Sequence, residues 1–320
     1  MLELSVVVPN YNHARYLESA LRAHLEQTRP PLEIIVVDDA STDDSVAIVE
    51  RLAREHPRLR LIRLAQNGGV NAAINRGLRE ARGDYVCFSA ADDLVTNDFA
   101  ARSMETLARY PAAAFCFSDP ARLVGDAGQV EPLPLYISDG QCFVPPISLR
   151  QLYKRGWFGL PGFVVYRRDA IVAVGGFVED LDSWADTFAN CLLGFRHGAA
   201  YVPEVLTVFR VLPDSYSARC GQQTHLRRAL TYRVVDLLQS PRFRDVASFF
   251  QECALVPYYR VEVLAWLFAS PPRRHYLTPR LVVKVAMRSA WKVAKPHVPS
   301  RFRPPVRRLA VRWARFWTAE

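Results

Sequence analysis

The sequence predicts an α/β fold, a mostly parallel, doubly wound sheet followed by a C-terminal helical extension. Three observations predict it. Over the first hundred residues, short apolar runs rich in Val and Ile alternate with segments of helical spacing, an order that lays strands in parallel with helices on both faces. The second of these runs, Glu33–Val37, is of the continuous type that strands covered on both faces show. After Gly221 glycine disappears and prolines divide the chain into helix-sized pieces, so a domain edge is expected near residue 222.

The elements follow in order. Leu4–Val8 is a strand leading into Pro9-Asn10-Tyr11-Asn12, and Tyr16–Leu25 carries its apolar residues at helical spacing. Glu33–Val37 is a buried strand that ends in Asp38-Asp39. Ser41 or Thr42 is expected to cap a helix from Asp44 to Arg54, with acids in the first turn where the dipole favours them. Leu59–Leu64 is a third strand, Asn67-Gly68-Gly69 a turn, and Asn71–Ala81 a helix. Tyr85–Ser89 is a fourth strand, ending at Ala91-Asp92-Asp93. Phe115–Ser118 and Phe163–Tyr166 read as short strands on either side of a Gly- and Pro-bearing stretch. Asp169–Val174 reads as a helix before the Gly175-Gly176-Phe177 turn, residues 183–195 as an aromatic-sided helix, and Tyr201–Phe209 as a last strand.

In open sheets of this kind, ligands sit outside the carboxyl ends of the strands. Three strand ends carry Pro9/Tyr11/Asn12, Asp38/Asp39 and Asp92/Asp93, so these groups converge on one crevice. No Gly-x-Gly-x-x-Gly follows the first strand, and there is no P-loop lysine or Gly-x-Ser-x-Gly elbow. The histidines form no HxxxH or HxH and the cysteines no CxxC pair, which speaks against a histidine-bound zinc site and for reduced thiols. Carboxylates remain. Asp92-Asp93 is either a hard-oxygen site for Mg²⁺ or Mn²⁺ carrying a diphosphate, or a capping pair that opens the next helix. Asp38-Asp39 has the same two readings. Tyr11 is a stacking face or a rim aromatic, and Asp186 a general base or a solvated turn acid.

Taken together, Ser5-Val6-Val7-Val8-Pro9-Asn10-Tyr11-Asn12, Val36-Val37-Asp38-Asp39-Ala40-Ser41-Thr42-Asp43, Asn67-Gly68-Gly69-Val70-Asn71-Ala72-Ala73 and Ala91-Asp92-Asp93 resemble the family 2 glycosyltransferases of GT-A fold. Gly175-Gly176-Phe177, Asp186, and Tyr201–Leu206 leading to Arg210 and Ser215/Ser217 extend the likeness downstream. The resemblance implies a GT-A domain over 1–222, with a nucleotide-sugar half (1–120) and an acceptor half (121–222), before a helical basic region over 223–320. It implies that Pro9 and Tyr11 line a nucleobase pocket, Asp39 accepts a hydrogen bond from the base, and Asn67 to Asn71 approach the nucleotide. Asp92 would lie near the ribose and Asp93 would hold Mn²⁺ or Mg²⁺ on the diphosphate. Asp186 would deprotonate an acceptor hydroxyl, with inversion at the anomeric carbon. The implied donor is a nucleotide-diphosphate sugar. The implied acceptor is a saccharide or lipid-linked saccharide of surface polysaccharide or glycolipid assembly. Ala90, Ala185 and Leu212 stand where many members have Asp, Glu and His. They favour the alternative, a catalytically degenerate protein that binds nucleotide sugar or scaffolds an assembly complex.

The net charge of +9 is concentrated at one end. Residues 271–320 hold 13 of the 41 Lys and Arg and one of the 32 acids. A nucleic-acid footprint more often lies on the folded module itself, whereas a basic tail interleaved with apolar residues suits an anionic membrane surface. In 306–317, Val306, Leu309, Trp313 and Phe316 recur at three- and four-residue spacing among arginines. The stretch Val246 to Ser270 is apolar but broken by Glu252, Pro257, Arg260 and Glu262, so it is expected to be a helix pair rather than a membrane span. With no secretory signal legible at Met1–Pro9, a cytoplasmic protein peripheral at the cytosolic membrane face is expected.

Overall fold

The computed structural model describes residues 2–124, 128–154, 163–212 and 223–294. The chain forms two compact units, Met1–Pro145 with Leu160–Ser215, and Pro146–Gly159 with Tyr216–Glu320. Pro146–Gly159 groups with the C-terminal residues rather than with the sheet-bearing unit.

The first unit is built on one mixed sheet. Its parallel part joins β3 (Leu59–Arg63), β2 (Glu33–Asp38), β1 (Leu4–Asn10) and β4 (Tyr85–Phe88) in that spatial order. Val6, Val7 and Val8 of β1 and Ile34 to Val37 of β2 are essentially without solvent contact, which is why these segments read as unbroken apolar runs. The sheet continues through β9 (Val165–Arg167), antiparallel to both β4 and β6 (Phe115–Val124). Next comes β10 (Ala199–Arg210), parallel to β6. Three short strands complete it: β5 (Leu94–Val95) and β8 (Cys142–Val144) pair with β10, and β7 (Gln129–Pro132) pairs with β6. The helices of this unit are α1 (Ala14–Leu25), α2 (Ser45–Glu55), α3 (Val70–Glu80), α4 (Phe99–Arg109), α6 (Arg168–Ala173) and α7 (Ala185–His197).

One contact sets the position of α3. A Cβ at Gly77 would stand 2.3 Å from a Val7 methyl, so only glycine lets this helix lie so close against β1. In register, Asn10 of β1 pairs with Asp38 of β2, and Val7 pairs with Phe88 of β4. The carboxyl ends of β2, β1 and β4 therefore open on the same edge.

Two capping expectations are corrected. Asp92-Asp93 opens no helix: the chain runs straight into β5, held by antiparallel pairing of Leu94 and Val95 with Val208 and Thr207, and α4 begins only at Phe99. Nor does Ser41 or Thr42 cap α2, which starts at Ser45. The Ser41 hydroxyl accepts the Asn12 N–H at 3.0 Å and the Asn10 amide at 3.1 Å. Asp43 accepts from Ser45 N–H and Ala14 N–H, tying the starts of α2 and α1 together. The helix expected over 183–195 opens as a 3-10 turn, Glu179–Trp184, kinked at Asp182 (φ 49°), before α7 proper.

The second unit is helical: α5 (Pro146–Lys154), α8 (Thr224–Gln239), α9 (Arg244–Glu252), α10 (Val261–Ala269), the 3-10 turn Pro271–Tyr276, and α11 (Pro279–Ala294). Val234, Leu238, Phe250, Val263, Leu267 and Leu281 form its interior. Lys284 is buried and donates to the carbonyls of Tyr153 (3.0 Å) and Cys253 (2.6 Å). Glu252 receives both Arg150 and Lys154. The apolar stretch 246–270 divides between α9 and α10, and no helix among the described residues is long and apolar enough to cross a membrane. Ser215, Ser217 and the 306–317 pattern lie outside the described residues.

Candidate active site

At the end of β2, Asp39 is buried, and its two carboxylate oxygens accept the N–H groups of Gly68 and Gly69, each at 2.8 Å. Gly69 holds φ +88°, a conformation open to glycine, and α3 starts at the next residue. Asp39 thus latches the amino end of α3 to the sheet. Asp38 completes the turn by accepting Asn10 Nδ2 at 2.9 Å and Ser41 N–H at 3.0 Å.

At the end of β4, Asp92 and Asp93 are half-buried. Asp93 Oδ1 accepts the Arg210 N–H at 2.7 Å, and Arg210 Nε donates to the Asp92 carbonyl at 2.9 Å. The Arg210 guanidinium also stands 4.8 Å from the Tyr16 ring centre, a cation–π distance. Burial pushes the Asp93 carboxyl up to about 7, with the charge of Asp92 adding to it and the Arg210 N–H and guanidinium opposing it. An acid left with so little compensation favours a cation.

Asp186 occupies the first turn of α7. Its carboxyl reaches solvent, yet it is surrounded by enough protein for lost hydration to hold its pKa above the ordinary value; the Thr187 N–H and hydroxyl, both on Oδ1, pull the other way. Its charge also contributes, after burial, to raising the pKa of Tyr166 on β9, the strand beside β4. Tyr166 in turn packs among Phe88 and Phe177 and donates its hydroxyl to Asn190 on α7.

Two asparagines tie α3 to the segment before Asp186. Asn71 Nδ2 donates to the carbonyls of Asp182 (2.9 Å) and Glu179 (3.4 Å). Asn75 donates to the Phe177 carbonyl and the Glu179 carboxylate, and accepts the Phe177 N–H. The described contacts of Asn71, expected beside the nucleotide, therefore give it the work of holding this loop. Asn75 was missed; its signal was a polar residue one helical turn from Asn71, on the same buried face as Ile74 and Leu78. Asn67 is exposed in the turn, Tyr11 is 46% exposed beyond the end of β1, and Pro9 is buried opposite Val37. Among the described residues no three His, Cys, Asp or Glu side chains converge as a metal cage. The Asp92/Asp93 pair nevertheless fits a hard cation whose remaining ligands are diphosphate oxygens and water, the usual manner for Mg²⁺.

Residues 5–173 match the family model "Glycosyl transferase family 2". The chain belongs to that family. It is 28% identical over 291 residues to the uncharacterized protein MT1568 of Mycobacterium tuberculosis, covering 86% of this chain and 88% of that one. It is 36% identical over 177 residues to the uncharacterized glycosyltransferase YibD of Escherichia coli, covering 53% of this chain and 50% of that protein. The putative teichuronic acid biosynthesis glycosyltransferase TuaG of Bacillus subtilis is 32% identical over 38% of this glycosyltransferase and 48% of its own length. Among solved structures, S. aureus TarS 1–349 in complex with UDP-GlcNAc superposes with TM-score 0.61 at 18% identity, over 88% of this chain and 83% of that one. The mannosyltransferase PcManGT from Pyrobaculum calidifontis, in complex with GDP-Man and Mn²⁺, gives TM-score 0.56 at 22% identity, over 100% and 88%. These structures share the GT-A architecture.

Proposed function

We propose that this family 2 glycosyltransferase transfers a sugar from a nucleotide-diphosphate donor to a hydroxyl acceptor with inversion, in surface polysaccharide or glycolipid assembly. The observation that carries the reading is the under-compensated acid Asp93 meeting Arg210 at the end of β4. Charge develops on the leaving diphosphate, and groups already in place there lower its cost without reorganisation. Asp93 would hold a divalent cation, Mn²⁺ or Mg²⁺, which when bound supplies positive charge to the diphosphate; the Mn²⁺ in the PcManGT complex supports this. Asp39 and the 67–71 turn would meet the nucleotide, with Pro9, Tyr11 and Asp92 around it. Asp186 takes the proton from the acceptor hydroxyl as that oxygen bonds to the anomeric carbon and the bond to the diphosphate breaks on the opposite face. Lost hydration holds its pKa above the ordinary carboxylate value, which strengthens it as a base toward that proton. The biosynthetic setting leans on the printed description of TuaG, and residues 271–320 are read as facing an anionic membrane.

The test is a panel of UDP-, GDP-, CMP- and dTDP-sugars with and without Mn²⁺, followed by binding and by slow hydrolysis. Asp186→Asn should keep donor affinity and lower turnover by about 10²–10⁴-fold, the span of base catalysis. Equal loss of donor binding would make Asp186 a nucleotide contact instead. Binding without any turnover across the panel would favour the degenerate, scaffold reading.

A further inference from the structure

The helix α11 carries an exposed face that the first unit's chemistry does not use. Val282 (46%), Val283 (54%), Met287 (45%) and Val293 (72%) are exposed, together with Ala286 and Ala290 between them. At 100° per residue these positions fall on one side of the helix, opposite Leu281 and Val285, which face the interior of the second unit. The stripe contains no polar residue. On the adjoining α10, Phe268 is 66% exposed.

We propose that this stripe is a membrane-docking face, lying in the headgroup boundary of an anionic bilayer. The proposal rests on the reading of residues 271–320 as membrane-facing and narrows it to one helix. Charge selects the occupant. Arg280, Arg288 and Lys292 share the helix with the stripe, and residues 271–294 contain no acid; of the other cations there, Lys284 is buried and Arg273 is paired with Asp236. A second copy of α11 laid against the first would bring the same cations together. Residues 295–319 are equally basic and free of acids, so folding them over the stripe would crowd like charges as well. A nucleic acid would answer the cations and leave the apolar stripe in water. An anionic lipid surface answers both, since an interfacial helix sinks its apolar side among acyl chains while Lys and Arg reach the headgroups.

The experiment sediments the full chain with phosphatidylcholine vesicles, with and without phosphatidylglycerol, and compares the pair Val283→Gln/Met287→Gln. Glutamine keeps helix propensity and adds no charge. Wild type should pellet with the anionic vesicles alone and be released by salt. The glutamine pair should bind them at least about tenfold more weakly, with an unchanged melting temperature because the replaced side chains are already in water. Wild type remaining in the supernatant would overturn the membrane reading of the whole region. Equal pelleting of wild type and the pair would overturn the assignment to α11 while leaving the broader reading standing. A lowered melting temperature, or a dimer that the pair dissolves, would show the stripe already covered by this chain or by a second copy and would overturn it too.

Discussion

Asp39 and Asp93 stand beyond the ends of β2 and β4, the two strands that flank β1, and the surrounding protein treats them in opposite ways. Asp39 spends both oxygens on the N–H groups of a glycine turn. Asp93 has one N–H on one oxygen and a like-charged neighbour, and burial drives its pKa up to about 7. A carboxylate given two backbone donors is part of the framework, because its charge is already answered. One held short of donors beside another acid costs stability, and such cost is kept where a cation is to arrive. The same residue type thus makes a latch at one strand end and, in the proposed function, a cation receptor at the next.

Replacing each by its isosteric amide should split them, and the larger effect falls on function. Asp93→Asn should abolish divalent-cation-dependent binding of nucleoside diphosphates and lower turnover at least about a hundredfold, the scale of lost charge stabilisation on a leaving group. Its stability should move the other way. The folded pKa lies above the ordinary 3.8, so the folded state binds the proton more tightly and loses stability as pH rises from 3.8 through about 7. Asparagine escapes that loss, and at pH 8 the variant should melt no lower than wild type. A variant that still binds nucleotide in a cation-dependent way would assign the cation elsewhere.

Asp39→Asn should do the reverse. An amide turns an N–H toward Gly68 or Gly69 where an acceptor is needed, leaving a buried donor unpaired at a cost of about 1–3 kcal/mol. The melting temperature should fall, and nucleotide binding should weaken with the loosened turn. If this variant melts like wild type, the latch is not holding α3.

The parallel half of the sheet was legible because β1, β2 and β4 are largely apolar and buried throughout, and buried β-branched residues admit few alternatives; β3 carries Arg60 and Arg63, and only its Leu59 is buried. Alternation makes these strands parallel, while their order β3-β2-β1-β4 is set by pairing in the folded sheet. What lies between Leu94 and Val144 was harder to read. β5, β8 and the continuation of β6 to Val124 depend on pairing with β10, which lies far off in the chain, while β7 closes a local hairpin on β6; short strands carry little periodicity of their own. Asp92-Asp93 shows the same limit at the site. As a dipeptide it fits a helix cap, and only the pairing of Leu94-Val95 with Val208 and Thr207 removes that option. Asn71 follows the Asn67-Gly68-Gly69 turn, and its amide donates to a carbonyl more than a hundred residues downstream, a tie that its neighbours in sequence do not announce. Long-range hydrogen bonds leave no local trace.

The smallest effect sharpens the latch itself. Ala40 follows Asp39 directly and adopts φ +62°, the left-handed region that costs a residue with a Cβ about 1–2 kcal/mol. It is held there by the turn around it, in which Asp38 accepts the Ser41 N–H and Asp39 N–H donates to the Asn10 carbonyl at 2.8 Å. Ala40→Gly removes the steric cost and returns about 0.4–1 kcal/mol of it through the greater freedom of the unfolded chain. The net gain should be about 0.5–1 kcal/mol, read as a small rise in denaturation midpoint with an unchanged slope. Donor affinity should stay the same, because the carboxylates of Asp38 and Asp39 keep their partners. A lowered midpoint would mean that the turn imposes no strain at Ala40 and that the latch depends on the stiffness alanine gives it.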